Sequence, residues 1–289
     1  MEDRHEGTRI TDEATGSASS SRGIDIAGTP RDRRRGDDRD TSPAQNGPIA
    51  FSGDTGSGPQ IYTINPDGTG LRRLTHLDGE PNTPNWSPDG ARIAFFLENA
   101  PGNEGGVYVM DADGGDLHRV TAPGAAGGQP AFTPDGDQLV YQCEDCRPGG
   151  VFLMRDDGSD APGRRLSTNP FKLGDHNPEV SPDGQTVTFV RHKVEGKLQA
   201  LYAVDIDGSD ERRLTTYRLE VAIKHDWAPN GRQIVLTTNA DHPDHKSPNV
   251  ATMRPDGSHL QLLTHYTGGK QGAFAGSYSP GRALDRLSG

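Results

Sequence analysis

The chain has 289 residues, of which 30% are hydrophobic, and it contains 38 Gly and 22 Pro at a mean hydropathy of −0.77. This composition permits one sizeable core and favours many short strands joined by Gly/Pro turns over long helices. The net charge of −11 argues against a nucleic acid partner or an anionic membrane surface, and no apolar run is long enough to cross a bilayer, so we expect no membrane insertion.

Residues 1–46 are rich in Ser, Gly, Asp and Arg, include the mixed-charge block Arg31 to Asp40, and contain almost no large apolar side chains. Such a segment cannot bury enough surface to offset the entropy of ordering it. We therefore predict a disordered, solvated tail. The first thirty residues also lack the apolar core of a signal peptide, so we expect the chain to stay where it is made. The sequence does not identify a compartment.

Residues 47–281 carry a repeated tight turn, which begins at Ser87 and recurs every 46 to 51 residues. Pro presets φ, the acidic or amide side chain bonds to the local backbone, and Gly closes the turn. A period of this length indicates a solenoid, propeller or array. The copies are Pro88-Asp89-Gly90, Pro134-Asp135-Gly136, Pro182-Asp183-Gly184, Pro229-Asn230-Gly231 and the altered Ser279-Pro280-Gly281.

Each turn lies between predicted strands. An aromatic residue or Val precedes it, as at Trp86, and an alternating apolar run such as Ile93 to Phe95 follows. A second apolar strand then leads into an Asp-x-Asp-Gly turn, as at Asp111 to Gly114, and into a last strand that ends in Arg-Arg-Leu-Thr, as at Arg72 to Thr75. Four antiparallel strands at this period predict the blade of an all-β propeller.

The succession of Pro-x-Trp-Ser-Pro-Asp-Gly, an apolar strand, Asp-x-Asp-Gly and Arg-Arg-Leu-Thr resembles the repeat of TolB-type β-propellers from about Ile49 to Gly281. The resemblance implies a six-bladed fold that is typically exported across the inner membrane and binds protein partners. The same propeller also occurs, without catalytic residues, in tricorn-like and prolyl-oligopeptidase-like peptidases.

Both ends depart from that family pattern. The sequence supplies three strands of a first blade, four complete blades and only the opening strand of another, Ala273 to Ser279, before residues 282–289 lose the repeat. We therefore expect about five blades of an incomplete six-bladed ring, whose unpaired edges would favour self-association. The alternative is that the last strand pairs with the first blade and closes a five-bladed ring.

Antiparallel order places both kinds of tight turn on one face of the disc and the variable loops, such as Glu98 to Gly105 and Cys143 to Gly149, on the other. Binding residues usually lie on loops held by a rigid scaffold. We therefore predict a binding site for a protein or peptide at the channel mouth, although the same polar groups could simply be solvated or bond to strand ends. The candidates precede the repeated turns: Glu80, Asn82, Gln129, Asp175, His176, His225 and Asp226.

Enzymatic patterns are weak. There is no Gly-x-Ser-x-Gly elbow, and the Asp-x-Asp-Gly turns have the wrong Gly spacing for a calcium loop. We predict no catalytic residue, metal site or cofactor. Two alternatives stay open: a metal-dependent enzyme resembling oligogalacturonate lyases, with Gln129, His176 and His225 as ligands, or a propeller detached from a peptidase.

Cys143 and Cys146 form a single Cys-x-x-Cys pair. One pair cannot complete a four-ligand zinc site, and the βαβ surroundings of a thioredoxin-like motif are absent. We expect an exposed thiol pair or a local disulfide.

Overall fold

The computed structural model describes residues 47–56, 58–123, 127–144, 146–169, 174–193, 198–239 and 248–266. In these ranges the chain forms nineteen β-strands and two short 3-10 turns, Pro101–Asn103 and Tyr217–Leu219, without an α-helix. The predicted tails, 1–46 and 282–289, lie outside the described residues.

The strands form five antiparallel sheets, each of which is one blade, and strands that follow one another in sequence pair with one another. Blade 1 contains β1 (Ile49–Asp54), β2 (Pro59–Ile64) and β3 (Arg72–Arg73). Blade 2 contains β4 (Glu80–Trp86), β5 (Arg92–Glu98), β6 (Gly106–Asp111) and β7 (His118–Arg119), and blade 3 contains β8 (Gly127–Phe132), β9 (Gln138–Cys143), β10 (Gly150–Arg155) and β11 (Arg164–Arg165). Blade 4 contains β12 (Asp175–Val180), β13 (Thr186–His192), β14 (Gln199–Asp205) and β15 (Arg212–Arg213), and blade 5 contains β16 (Val221–Trp227), β17 (Ile234–Thr238), β18 (Asn249–Met253) and β19 (Gln261–Leu262).

The first strand of each complete blade lies innermost. Strand β1 contacts β4, β4 contacts β8, β8 contacts β12 and β12 contacts β16, so consecutive blades are arranged around a common axis. The predicted all-β propeller with five blades is confirmed. The predicted opening strand of a further blade, Ala273 to Ser279, lies outside the described residues, as does any pairing that it makes.

The hydrophobic core fills the space between neighbouring blades. One buried cluster joins Val107 and Val109 of blade 2 to Leu139 and Tyr141 of blade 3, and similar clusters join each of the other consecutive pairs. Since side chains alternate across a strand, the central strands of a blade pack against both neighbours. The blades are therefore held together by apolar contact along their faces.

The repeated turn owes its sequence to side-chain hydrogen bonds. The Ser87 hydroxyl donates to Asp89 Oδ1 at 2.6 Å and accepts from the Arg92 amide at 2.9 Å. Thr133 and Ser181 make the same pair of contacts in blades 3 and 4. The hydrogen bond from the hydroxyl lowers the pKa of each turn carboxyl, as for Asp89.

The two tight turns of a blade lie side by side. The Ala112 amide donates to the Ala91 carbonyl at 2.8 Å, and the Ile206 amide donates to the Gln185 carbonyl at 2.8 Å. Each bond joins the turn after the first strand to the turn after the third. The sequence-based expectation that both turns share a face therefore holds, and we call that face the turn face and the opposite one the loop face.

Arginines of the short outermost strands connect neighbouring blades. Arg72 donates to the Asp113 carbonyl and Arg164 donates to the Ile206 carbonyl, each at 2.7 Å and each in the next blade. A Thr follows the outermost strand of blade 2 and bonds to the third strand: the Thr121 hydroxyl accepts a hydrogen bond from the Val107 backbone amide at 3.1 Å. This hydroxyl continues the pairing of the third strand after the two-residue outer strand has ended.

Candidate functional site

The candidate site is a cavity of about 470 Å³ on the loop face between blades 2 and 3. It lies where the inner strands β4, β8 and β12 begin and where the second strands β5 and β9 end. Three of the candidates from the sequence, Asn82, Gln129 and His176, line it together. Its volume lies in the range of small-ligand and side-chain pockets.

A break in strand pairing shapes the inner wall of the cavity. The pairing of β4, β8 and β12 with the second strand is interrupted at Thr83, Gln129 and Asn177, each followed by proline. These three residues have positive φ values of 49°, 54° and 49°, which are unfavourable for Thr and Gln and better tolerated by Asn. At each interruption a β-bulge shifts the first residues of the inner strand, so that their side chains no longer alternate regularly between the two faces of the sheet.

Gln129 connects two blades through this bulge. Its Oε1 accepts a hydrogen bond from the Asn177 amide in blade 4 at 2.6 Å. The side chain is thereby fixed at the wall of the cavity, and its amide nitrogen has no hydrogen-bond partner among the described residues. The neighbouring Gly128 leaves room for the ring of Phe96, which would lie 3.4 Å from a Cβ at that position.

The far wall comes from blade 3. Gln142 is 5% exposed, lines the cavity, and donates from Nε2 to Glu144 Oε1 at 2.5 Å. Glu144 directly follows β9, in a short loop that is closed by a disulfide between Cys143 and Cys146. Cys143 is completely buried in the core between blades 2 and 3, so the pair is a local disulfide, one of the two expected forms. The disulfide connects the loop that carries Glu144 to the core.

The rim on the blade 2 side is rich in amides and carboxylates. Asn82 donates from Nδ2 to Glu98 Oε2 at 3.3 Å, and Asn99 donates to Glu80 Oε2 at 3.1 Å. Glu80, Glu98 and Asn99 are exposed. These contacts hold the two carboxylates at the cavity entrance.

His176 closes the cavity toward blade 4 and packs against His192, with the ring centroids 4.6 Å apart. Burial lowers the pKa of His176 below its usual value, although the neighbouring Asp175 raises it. Burial and the adjacent imidazole lower the pKa of His192 as well. Both rings are therefore neutral at pH 7.

The other candidates from the sequence lie elsewhere. Asp175 is fully buried and forms a bidentate ion pair with Arg191. His225 is 1% exposed and its Nε2 lies 2.9 Å from the Thr188 hydroxyl, to which Trp227 also donates. Burial lowers the pKa of His225 to about 3.

The geometry does not bring together the three ligands of the metal-dependent alternative. Gln129 and His176 share the cavity, whereas His225 does not line it. Among the described residues, no group of three or more His, Cys, Asp or Glu side chains is placed to hold a metal ion. Likewise, no helix in the described ranges could span a membrane.

Glu179 and Asp226 lie on adjoining inner strands, β12 and β16. Burial raises the pKa of Glu179 to about 7; Lys224 acts in the opposite direction, and Asp226 raises it further. Sequence reasoning selected Asp226 but missed Glu179, although the two residues occupy equivalent positions ahead of their repeated turns. It also missed Phe96, Gln142 and Glu144, for which only the loop boundaries gave a signal.

Comparisons with known proteins agree with this architecture. The family model described as TolB beta propeller domain matches residues 77–278. The structure is similar to TolB from Acinetobacter baumannii, with a TM-score of 0.61 and 21% identity over 76% of this chain, so the chain spans about half (52%) of that protein. A search of curated protein sequences found no match.

Two further solved structures share the fold. A protein assigned as TolB in Agrobacterium tumefaciens has a TM-score of 0.59 and 22% identity over 71% of this chain and 73% of its own. A chain of the nidogen/laminin complex has a TM-score of 0.61 and 12% identity over 81% of this chain and 82% of its own. At these identities the likeness concerns the fold alone.

Proposed function

This chain belongs to the family of TolB β-propeller domains, and from that premise we propose that it is a non-enzymatic scaffold which binds a protein or peptide through the loop face and the channel mouth. The observation that carries the proposal is the cavity shared by Asn82, Gln129 and His176. Fold alone does not fix function, so the proposal depends on what this site can do.

The two faces differ in how their polar groups are used. On the turn face, repeated hydroxyl, carboxylate and backbone groups bond to one another within and between turns, as at Ser87 and Asp89. On the loop face, the Gln129 amide nitrogen and the exposed carboxylates at the cavity rim remain available to a partner. A concave site with a few convergent polar groups is the usual form of a binding site.

The inner surface of the site suits binding better than catalysis. Two groups whose pKa values are strongly shifted by burial, His225 and Glu179, do not line the cavity. His176 and Gln129 do, but they lack the third ligand that the lyase-like alternative requires. The chain in the nidogen/laminin complex, which shares only the fold, shows that such a propeller occurs in a complex between proteins.

A peptide display library panned on the purified protein tests the proposal. We expect enriched peptides that bind with 1:1 stoichiometry in calorimetry and that bind at least tenfold more weakly to an Asn82→Ala/Glu98→Gln variant, because both substitutions alter the cavity entrance. A matched Asp89→Asn variant alters the turn face and should bind as the native protein does. Failure to enrich peptides, or equal loss with the turn-face variant, would contradict the proposal.

A further inference from the structure

The described residues give the cavity negative charge, and none of its lining side chains is a Lys or Arg. Glu98 and Glu144 line it, Glu80 accepts a hydrogen bond from the lining residue Asn99, and all three are exposed. Their only recorded side-chain contacts among the described residues are N–H groups of Asn82, Asn99 and Gln142. Among the described residues, no Lys or Arg lines the cavity, so the carboxylates retain most of their capacity to accept hydrogen bonds there.

Gln142 provides a further acceptor at the cavity wall. Gln142 is more than nine-tenths buried, and its Nε2 is committed to Glu144. This contact fixes the amide orientation, because a carboxylate accepts from nitrogen and cannot donate to oxygen. Gln142 Oε1 has no donor among the described residues and is accessible rather than fully buried, so it is open to a donor that enters the cavity. A ligand that brings N–H groups would satisfy it.

The apolar part of the wall suits a long aliphatic stem. Phe96 and Leu97 line the cavity beside the carboxylates, and Phe96 packs against the backbone of Gly128. Lys and Arg side chains lay their methylene groups along apolar surfaces while their charged heads reach polar groups. An aromatic face also attracts a cation directly.

The deep end of the cavity does not oppose a cation. His176 lies near Gln142, since a Cβ at Gly174 would be 3.7 Å from the imidazole Nε2 and 3.9 Å from the Gln142 Nε2. A neutral imidazole adds a further hydrogen-bonding group and no positive charge. Acceptors therefore outnumber cations throughout the site.

We propose that this cavity receives a basic side chain, Arg or Lys, from the bound protein or peptide, with Glu98 and Glu144 holding its charge, Gln142 Oε1 accepting an N–H group and Phe96 covering its stem. This inference rests on the proposed binding function and specifies the chemistry of the partner. The partner segment is then expected to be basic, which is complementary to the net charge of −11 of this chain.

The test uses N-acetyl-arginine amide as the probe and N-acetyl-citrulline amide as its uncharged counterpart, with binding measured by saturation-transfer NMR on the full chain. We expect saturable binding of the arginine probe, about tenfold weaker binding of the citrulline probe, and a similar loss in a Glu98→Gln/Glu144→Gln variant. Raising the salt concentration should weaken only the arginine probe.

The matched control is Asp111→Asn/Asp137→Asn, which removes the same two charges from the turn-face end of blades 2 and 3 and should leave binding unchanged. Thermal melts of all variants establish that they fold. Equal binding of the two probes, or equal loss in the control variant, would overturn the inference. Display-selected peptides that bind the loop face but lack Arg and Lys would overturn it while leaving the proposed binding function intact; absence of any peptide binding would remove that function as well.

Discussion

Arg191 and Asp175 face each other within blade 4 as a bidentate ion pair, with Nε to Oδ1 at 2.8 Å and Nη2 to Oδ2 at 2.9 Å. Arg191 also donates to Glu211 at 2.7 Å and lies 4.4 Å from the ring centroid of Tyr202. Asp175 directly precedes the cavity residue His176 in sequence, yet it is fully buried and paired with Arg191. The ion pair joins the first two strands of blade 4 to its outer turn.

Removing Arg191 should therefore destabilise the propeller. We expect Arg191→Met to lower the free energy of unfolding by about 3 to 5 kcal/mol, because it leaves the buried Asp175 carboxylate without a charged partner. Urea unfolding followed by tryptophan fluorescence measures the change. The exposed Asp137→Asn substitution should change stability by less than about 0.5 kcal/mol, and a similarly small change for Arg191→Met would contradict this account.

The pH dependence of stability should report on His225. Its folded pKa is about 3, whereas an unfolded histidine titrates near 6.5. Between these values the unfolded state binds the extra proton, so stability is lost as the pH falls through this window, by up to about 1.4 kcal/mol per pH unit.

A His225→Gln variant keeps a hydrogen-bonding group near Thr188 but does not titrate. We expect its unfolding free energy to depend less steeply on pH than that of the native protein between about pH 4 and 6.5. Chemical unfolding at four or five pH values measures both slopes. Parallel slopes would show that His225 is accessible to protons in the folded state.

The sequence predicts the repeated parts of this molecule well because they are local. The turn at Ser87 to Gly90 is specified by contacts within five residues, so it can be read from one copy and checked against the others. Asp175 and Asn82 are set apart by side-chain partners on the adjacent strand of their own blade, Gly128 by its approach to Phe96 of the neighbouring blade, and Gln142 by its hydrogen bond to Glu144. Such relationships depend on the three-dimensional ring, and the single sequence carries no periodic signal for them.

The fourth copy of the turn provides a natural comparison. Ala228 has no hydroxyl, and Asn230 keeps only the hydrogen bond from the Arg232 amide at 3.0 Å. We expect Ser181→Ala to cost about 1 kcal/mol, because it removes a hydrogen bond and leaves the Thr186 amide without its side-chain partner. Ala228→Ser combined with Asn230→Asp should recover part of such a contribution in blade 5. Urea unfolding measures the free energy of unfolding of both variants. A blade 5 variant less stable than the native protein would contradict the stabilising role of the turn hydroxyl and carboxylate.

The disulfide between Cys143 and Cys146 should support the loop that carries Glu144. Reducing the disulfide of the native protein should lower the free energy of unfolding by about 2 kcal/mol, the chain-entropy value for so short a loop. A mass-resolved thiol assay confirms the redox state. Stability that is insensitive to reduction would show that the disulfide does not constrain the loop.

We propose that partners bind at the loop face over the cavity of Asn82, Gln129 and His176, and hydrogen–deuterium exchange with a display-selected peptide can locate the bound surface. Binding should slow exchange in residues 96–106 and 127–129, which surround the cavity, and leave the turns at 87–92 and 133–138 unchanged. Protection confined to those turns, with unchanged exchange around the cavity, would contradict the claim.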